Sequence, residues 1–333
     1  MARASSPPIA SAAGTLRAST LALNAARVAL LLGALFMLAF IRSGVPIYVY
    51  AGAVAVSLAG VWLTVRESAD LKVWAFYLVG FVLFAQLRTL ADETGIATQY
   101  AYAIDAEKAL FFGGIPTIWL QDQFYSVGKI GVLEPLTIMT YGTYFVFPHV
   151  VVFAAWRFDR KNFPVYAGAI VGTVFAGLAV SFLVPTAPPW LAGQTGEISH
   201  VFRVIKDVGD EVTPATYQAA YDAVGPNDVA AMPSLHTAIP AAIAIVAWSR
   251  ARRPIAVAAV GYLAAMAFSL VYLGEHYVVD VLAGVATAAV VTALVMVFFR
   301  GREGGSEQAD ADAENRPSDT AVHRGGERRG ARH

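Results

Sequence analysis

Two short stretches of the chain concentrate the groups able to do chemistry. Met232-Pro233-Ser234-Leu235-His236-Thr237 supplies one histidine. About forty residues on, Leu273-Gly274-Glu275-His276-Tyr277-Val278-Val279-Asp280 supplies a second, with an aspartate four positions after it. Both stretches lie at the edges of long apolar segments, where an ionisable group without a partner is costly and points to function. The spacing of four predicts that His276 and Asp280 share one helix face. Asp280 then accepts a hydrogen bond from one ring nitrogen of His276, which fixes the tautomer and raises the basicity of the other. A histidine backed by a carboxylate is an activated nucleophile, and His236 has the matching role of acid toward a leaving oxygen. Pro233 suits the first turn of a helix. Ser234 and Leu235 would then present free backbone N–H groups to an anion, helped by the helix dipole. Pro240 leaves the His236 carbonyl without its usual helical donor and predicts a local kink.

The elements that must position these groups are apolar. Of 333 residues, 57% are hydrophobic and 14% charged, against roughly 25% charged in a soluble domain, so the expected environment is a bilayer. The formal charge is balanced, no basic aromatic-interleaved groove is visible, and a nucleic-acid partner is not expected. The chain has no cysteine, which excludes disulfides, thiolate nucleophiles and cysteine metal sites. The His-Asp pair serves better as nucleophile and orienter than as metal ligands, so neither metal nor cofactor is implied.

The expected fold class is all-α: a polytopic membrane helix bundle of about eight transmembrane helices, with interfacial helices on the extracytoplasmic side. Residues 1–20 read as a disordered N-terminus, and the run after them as a first span rather than a cleaved signal. The membrane domain covers 21–299, with spans near 21–41, 43–65, 73–87, 135–156, 164–184, 233–249, 254–273 and 277–299. Residues 300–333 read as a disordered cytoplasmic tail. Between spans three and four, the mixed composition of 89–134 suits helices lying in the interface. There Asp105, Glu107 and Lys108 read as a solvated face. His149, inside span four, reads as a packing or hydrogen-bonding residue, and the glycines of span five as sites of close helix approach.

Loop charge gives the orientation. With a cytoplasmic N-terminus, the loops Arg66–Lys72, Arg157–Asn162 and Arg250–Arg253 fall inside and hold two, three and three Lys or Arg. The short outside loops hold only Arg42. The positive-inside rule therefore predicts both termini in the cytoplasm, and places His236, His276 and Asp280 together at the outer face of a cell membrane.

The run Ser269 to Gly284, reading SLVYLGEHYVVDVLAG, resembles the last signature of the type 2 phosphatidic acid phosphatase superfamily, and Pro233-Ser234-Leu235-His236 resembles its middle one. The leucine before His236, the Tyr-Leu-x-x-His-Tyr-x-x-Asp wording and Pro188-Pro189-Trp190 look like the inositol phosphorylceramide synthase branch. The resemblance covers roughly residues 70–300. It implies a membrane lipid phosphotransferase or phosphatase, with His276 as the nucleophile of a phosphohistidine intermediate, Asp280 orienting it and His236 protonating the leaving group. The substrate would be a phospholipid or lipid phosphate, and the acceptor a lipid hydroxyl or water. The first signature of the wider family, a lysine followed seven residues later by Arg-Pro, is not evident, and Leu270 stands where an arginine is common. Phosphate must then be held by the N-terminus of the sixth span, by Arg203 and Lys206 in the outside loop, or by a cationic headgroup.

The alternatives are a His/Asp proton-relay transporter and an inactive scaffold. A relay needs polar groups through the depth of several spans, whereas here they gather at one end. Cysteines introduced at Thr94 and Gly193 are expected to label from outside and one at Ser306 from the cytoplasm; labelling of Thr94 only from the cytoplasm overturns the topology.

Overall fold

A computed structural model describes residues 69–88, 95–199, 201–212 and 229–314, with side chains through 301. The expected N-terminal segment and the spans at 21–41 and 43–65 lie outside these residues. Met1–Thr292 and Ala293–His333 form separate compact units. Among the described residues the chain is helical, without a strand element, and eleven helices follow one another. They are α1 (Ala69–Arg88), α2 (Ala101–Leu110), α3 (Pro116–Phe124), α4 (Leu133–Thr143), α5 (Phe147–Phe158) and α6 (Phe163–Leu183), followed by α7 (Pro189–Thr195), α8 (Val204–Val212), α9 (Leu235–Arg250), α10 (Arg253–Tyr272) and α11 (Val278–Glu314). Proline in the first turn starts α3, α5, α6, α7 and α10, where its missing N–H costs nothing and its fixed φ is already helical.

Among the described residues, four helices are long and apolar enough to cross a membrane: α1, α6, α10 and the Val278–Gly301 part of α11. The expected span at 135–156 is instead a bent pair, α4 and α5, turning by 53°. Pro148 in the first turn of α5 is the local cause, because proline disfavours a continuous helix through the residues before it. The expected span at 233–249 is α9, 16 residues long and starting at Leu235. Pro240 lies inside it. The last helix runs past Phe299 to Glu314, so residues 300–314 are helical rather than the disordered tail the composition predicted. Their Glu, Gln and Ala content supports helix even without an apolar stripe.

The long helix α6 forms the centre of the bundle and packs against α1, α5 and α9, while α9 also packs on α10 and α10 on α4. Small residues permit this. A Cβ at Gly172 would stand 2.8 Å from Val291 Cγ1, and one at Gly177 only 2.4 Å from Leu235 Cδ2. Alanines 244, 247, 256 and 259 pack α9 to α10 in the close manner small residues allow. His149 bonds Tyr77 Oη through Nδ1 at 2.9 Å, so it is a satisfied packing residue.

At one end of the bundle the short helices α2, α3, α7 and α8 gather. Backbone bonds brace three connecting segments there. Gln99 N–H donates to the Pro185 carbonyl at 2.8 Å, Ala187 N–H to Gln99 at 3.0 Å, and Ala231 N–H to Thr186 at 3.1 Å. Gln121 of α3 acts as a second brace. Its Nε2 donates to the carbonyls of Phe202 (3.0 Å) and Tyr272 (2.9 Å), and its Oε1 accepts from Phe202 N–H at 2.9 Å. Since Gln121 is buried, Gln121→Ala leaves enclosed backbone groups unpaired, and the expected cost is about 2–4 kcal/mol. A lowered thermal unfolding midpoint of the purified protein checks this; an unchanged midpoint refutes the bracing role.

Candidate active site

The two histidine stretches meet at this end of the bundle. His236 lies in the first turn of α9. His276 lies beyond the last turn of α10, in the five-residue connection to α11. That connection is shaped by Gly274, whose φ of 80° is a conformation that residues with a Cβ rarely adopt. A Cβ there would also stand 2.7 Å from the Phe202 carbonyl. The chain then doubles back, and the Leu270 carbonyl accepts from both Glu275 N–H (3.0 Å) and His276 N–H (3.3 Å).

His276 is therefore not on the helix of Asp280, as the spacing of four predicted. The helix starts at Val278, and Asp280 occupies its first turn. Its Oδ2 reaches back to accept from Tyr277 N–H at 2.9 Å, the usual task of an acidic side chain at that position. The same oxygen lies 3.6 Å from His276 Nδ1, an ion-pair distance but too long for a hydrogen bond. Oδ1 of Asp280 and Nδ1 of His276 are enclosed without a hydrogen-bond partner. On the other side of the ring, His276 Nε2 lies 3.3 Å from His236 Nδ1. The order carboxylate, histidine, histidine is thus set in space.

Backbone contacts fix the two stretches to each other. Ser234 N–H donates to the Asp280 carbonyl at 3.0 Å. Thr237 Oγ1 donates to the carbonyls of Ser234 (3.1 Å) and Val281 (3.4 Å). Ser234 N–H is therefore not free for an anion, as the sequence implied, because Ser234 caps α9 and Pro233 precedes the helix rather than opening it. Ser234 instead offers a buried Oγ with no partner. Leu235 sends its side chain over Gly177, which leaves its backbone N–H in the unsatisfied first turn of α9.

The other face of His236 is aromatic. Tyr141 stacks on it at 4.9 Å between centroids, Tyr144 lies at 4.2 Å and Phe145 at 6.5 Å. The bend between α4 and α5 brings these rings in, and nothing near the histidine motifs announced them. Arg88, at the end of α1, is close enough for its charge to act on His236, Tyr141 and Tyr144.

Of the two loop cations, Arg203 stands beside the site. Its Nε donates to Glu275 Oε1 at 2.9 Å, next to His276, and its guanidinium lies 4.1 Å over the Trp190 ring. Lys206 is half exposed and paired with Asp210 one turn along α8. Glu107 is the clearest departure. Far from lying on a solvated face, it is fully buried, while Asp105 and Lys108 are exposed. The signal was available, because Ala103, Ile104 and Glu107 share a helix face at spacings of three and four. Among the described residues no cluster of metal-ligating side chains occurs.

Gly284 of α11 governs the fit. A Cβ there would stand 2.4 Å from the Ser234 carbonyl and 2.7 Å from Thr237 Oγ1. Gly284→Ala is expected to destabilise by about 1–3 kcal/mol through overpacking. Gly261→Ala in α10, where nothing lies within 4 Å, is expected to be neutral or stabilising, as alanine favours helix. Thermal unfolding of the two proteins checks the contrast, and equal midpoints contradict the close-packing argument.

No curated protein and no solved structure matches the chain. A family model described as the PAP2 superfamily matches residues 104–294, more than half of the sequence. That stretch begins in α2 and contains both histidine motifs, the aromatic wall and the short helices over the site. By this match the chain belongs to the PAP2 superfamily.

Proposed function

We propose that the protein is an integral-membrane lipid phosphoryl-transfer enzyme. The observation that carries this reading is the 3.3 Å approach of His276 Nε2 to His236 Nδ1, with Asp280 on the far side of the His276 ring. Family membership supports it.

In the proposed reaction His276 Nε2 attacks phosphorus as the bond from phosphorus to the leaving oxygen breaks. His236 gives its proton to that oxygen, and the product is a phosphohistidine. The positive charge arising on His276 is stabilised by Asp280, which needs to close less than an ångström from 3.6 Å to make a hydrogen bond; such contacts tighten when substrate binds. An acceptor hydroxyl then attacks phosphorus, His236 takes its proton, the N–P bond breaks and His276 is restored.

Charge on the phosphoryl oxygens calls for donors. The available ones are the first-turn N–H groups of α9 at Leu235, the Ser234 hydroxyl, Arg203 beside Glu275, and Lys206 if its side chain turns inward. The acceptor separates the two forms of the reaction. With a lipid hydroxyl the enzyme is a phosphotransferase, as the inositol phosphorylceramide synthase-like motifs favour; with water it is a lipid phosphate phosphatase. A transferase must keep water from the intermediate, and α2 and α3, read as interfacial helices, provide a cover. The site is assigned to the extracytoplasmic face of the cell membrane, with both termini inside.

The test uses purified protein with phosphatidic acid or phosphatidylinositol, each with and without ceramide as the acceptor lipid. His276→Ala is expected to lose at least about a thousandfold in turnover and to trap no acid-labile phosphoryl group. His236→Ala is expected to lose about 10²–10⁴-fold. Wild-type turnover in both variants removes the catalytic assignment. Release of free phosphate, or of inositol phosphate from phosphatidylinositol, at one rate with or without the acceptor lipid, and no transferred product, removes the transferase form.

A further inference from the structure

The first N–H groups of a helix have no acceptor within it and must be satisfied from elsewhere. At α11 each of three successive groups has a carboxylate oxygen. Tyr277 N–H donates to Asp280 Oδ2 at 2.9 Å, Val278 N–H to Glu107 Oε1 at 3.1 Å, and Val279 N–H to Glu107 Oε2 at 3.2 Å. Asp280 belongs to the helix it caps. Glu107 comes from α2, an element remote in sequence, and spreads both oxygens across two consecutive amides.

This cap is costly to build. Glu107 is fully buried, and burial pushes its carboxyl above the usual carboxylate range, opposed by the two N–H donors. Beside it Ala103 and Ile104 pack against Tyr277, so α2 is seated on the residue between His276 and the helix. An anion at a helix N-terminus also gains from the dipole. A surface-facing residue would hold α2 in place at lower cost; this carboxylate is placed where it sets the position of the first turn of α11.

We infer that Glu107 is a positioning residue for the phosphoryl-transfer centre, acting through the Val278 and Val279 amides on the relative placement of His276 and Asp280. The inference rests on the reading of the site given above. Glu107 touches neither histidine ring and holds no reacting atom. Its effect is geometric: the start of α11 lies two residues after His276 and two before Asp280, so a shift of that turn changes both against His236, which is held separately by α9.

The experiment is kinetic and structural together, on the full chain in detergent with phosphatidic acid as substrate and ceramide as acceptor. Glu107→Gln keeps the length but loses the charge and one acceptor; Glu107→Ala loses the cap. Expected are falls in kcat per folded molecule of about tenfold and about a hundredfold, because misplacement near 1 Å costs about that much, while KM stays within about threefold. Hydrogen exchange over residues 276–282 is expected to accelerate in both variants. Asp105→Asn and Lys108→Ala, exposed on the same helix, are expected to leave kcat and exchange unchanged. Wild-type kcat in the folded fraction of both Glu107 variants, a loss confined to KM, or unchanged exchange overturns the inference alone. An inactive wild type overturns the phosphoryl-transfer reading first, and the role of Glu107 with it.

Discussion

The N–H that Ser234 donates to the Asp280 carbonyl at 3.0 Å joins two helix starts, backbone to backbone. A hydrogen bond of this kind leaves no room for adjustment by side-chain rotation. It requires α9 and α11 to meet at a separation that excludes even a methyl group, and Gly284 meets that requirement. The rest of the site follows from it. The histidine in the first turn of α9 is carried to the ring that precedes α11, while the carboxylate in the first turn of α11 faces the same ring from behind. Each catalytic candidate is thus placed by main-chain contacts rather than by the reach of its own side chain, which suits a centre that needs tight geometry.

The bundle surrounds this contact with two kinds of support. On the apolar side, alanines and glycines draw α6, α9 and α10 close, and aromatic rings from the α4–α5 bend close over His236. On the polar side, isolated side chains span long sequence distances to satisfy buried main-chain groups: Gln121 for Phe202 and Tyr272, Glu107 for Val278 and Val279. Both rest on the same physics. An enclosed amide without a partner costs more than a made hydrogen bond gains, so one well-placed polar side chain can fix a loop or a helix start.

How legible this was in the sequence depends on the range of the interaction. Hydropathy marked α1, α6, α10 and the Val278–Gly301 part of α11 within a few residues, since a span of apolar residues is a local property. The histidine and aspartate motifs were visible for the same reason, and their shared end of the bundle followed from counting spans. Illegible features were those decided by local backbone geometry or by tertiary contact rather than by composition. Pro148 turned one expected span into a bent pair. Asp280 reached back to cap its own helix, which put His276 off that helix. Ser234 N–H was used by Asp280 rather than left for a ligand. Glu107 was misread because its charged neighbours Asp105 and Lys108 suggested a wet face, although its spacing from Ala103 and Ile104 pointed inward.

The turn at Ala251–Arg252 that joins α9 to α10 carries a consequence for how the centre forms. His236 begins one arm of an antiparallel helical hairpin, and His276 follows the end of the other. The arms zip along the small-residue seam of Ala244, Ala247, Ala256 and Ala259, which lies beside the turn and far from either histidine. The loop that separates the two rings is therefore closed progressively by contacts between near neighbours in the chain, and little closure entropy is left to the rings themselves. Local assembly of this kind favours fast formation. The pairing of the histidines is a property of one hairpin, onto which the remaining helices add their walls and caps.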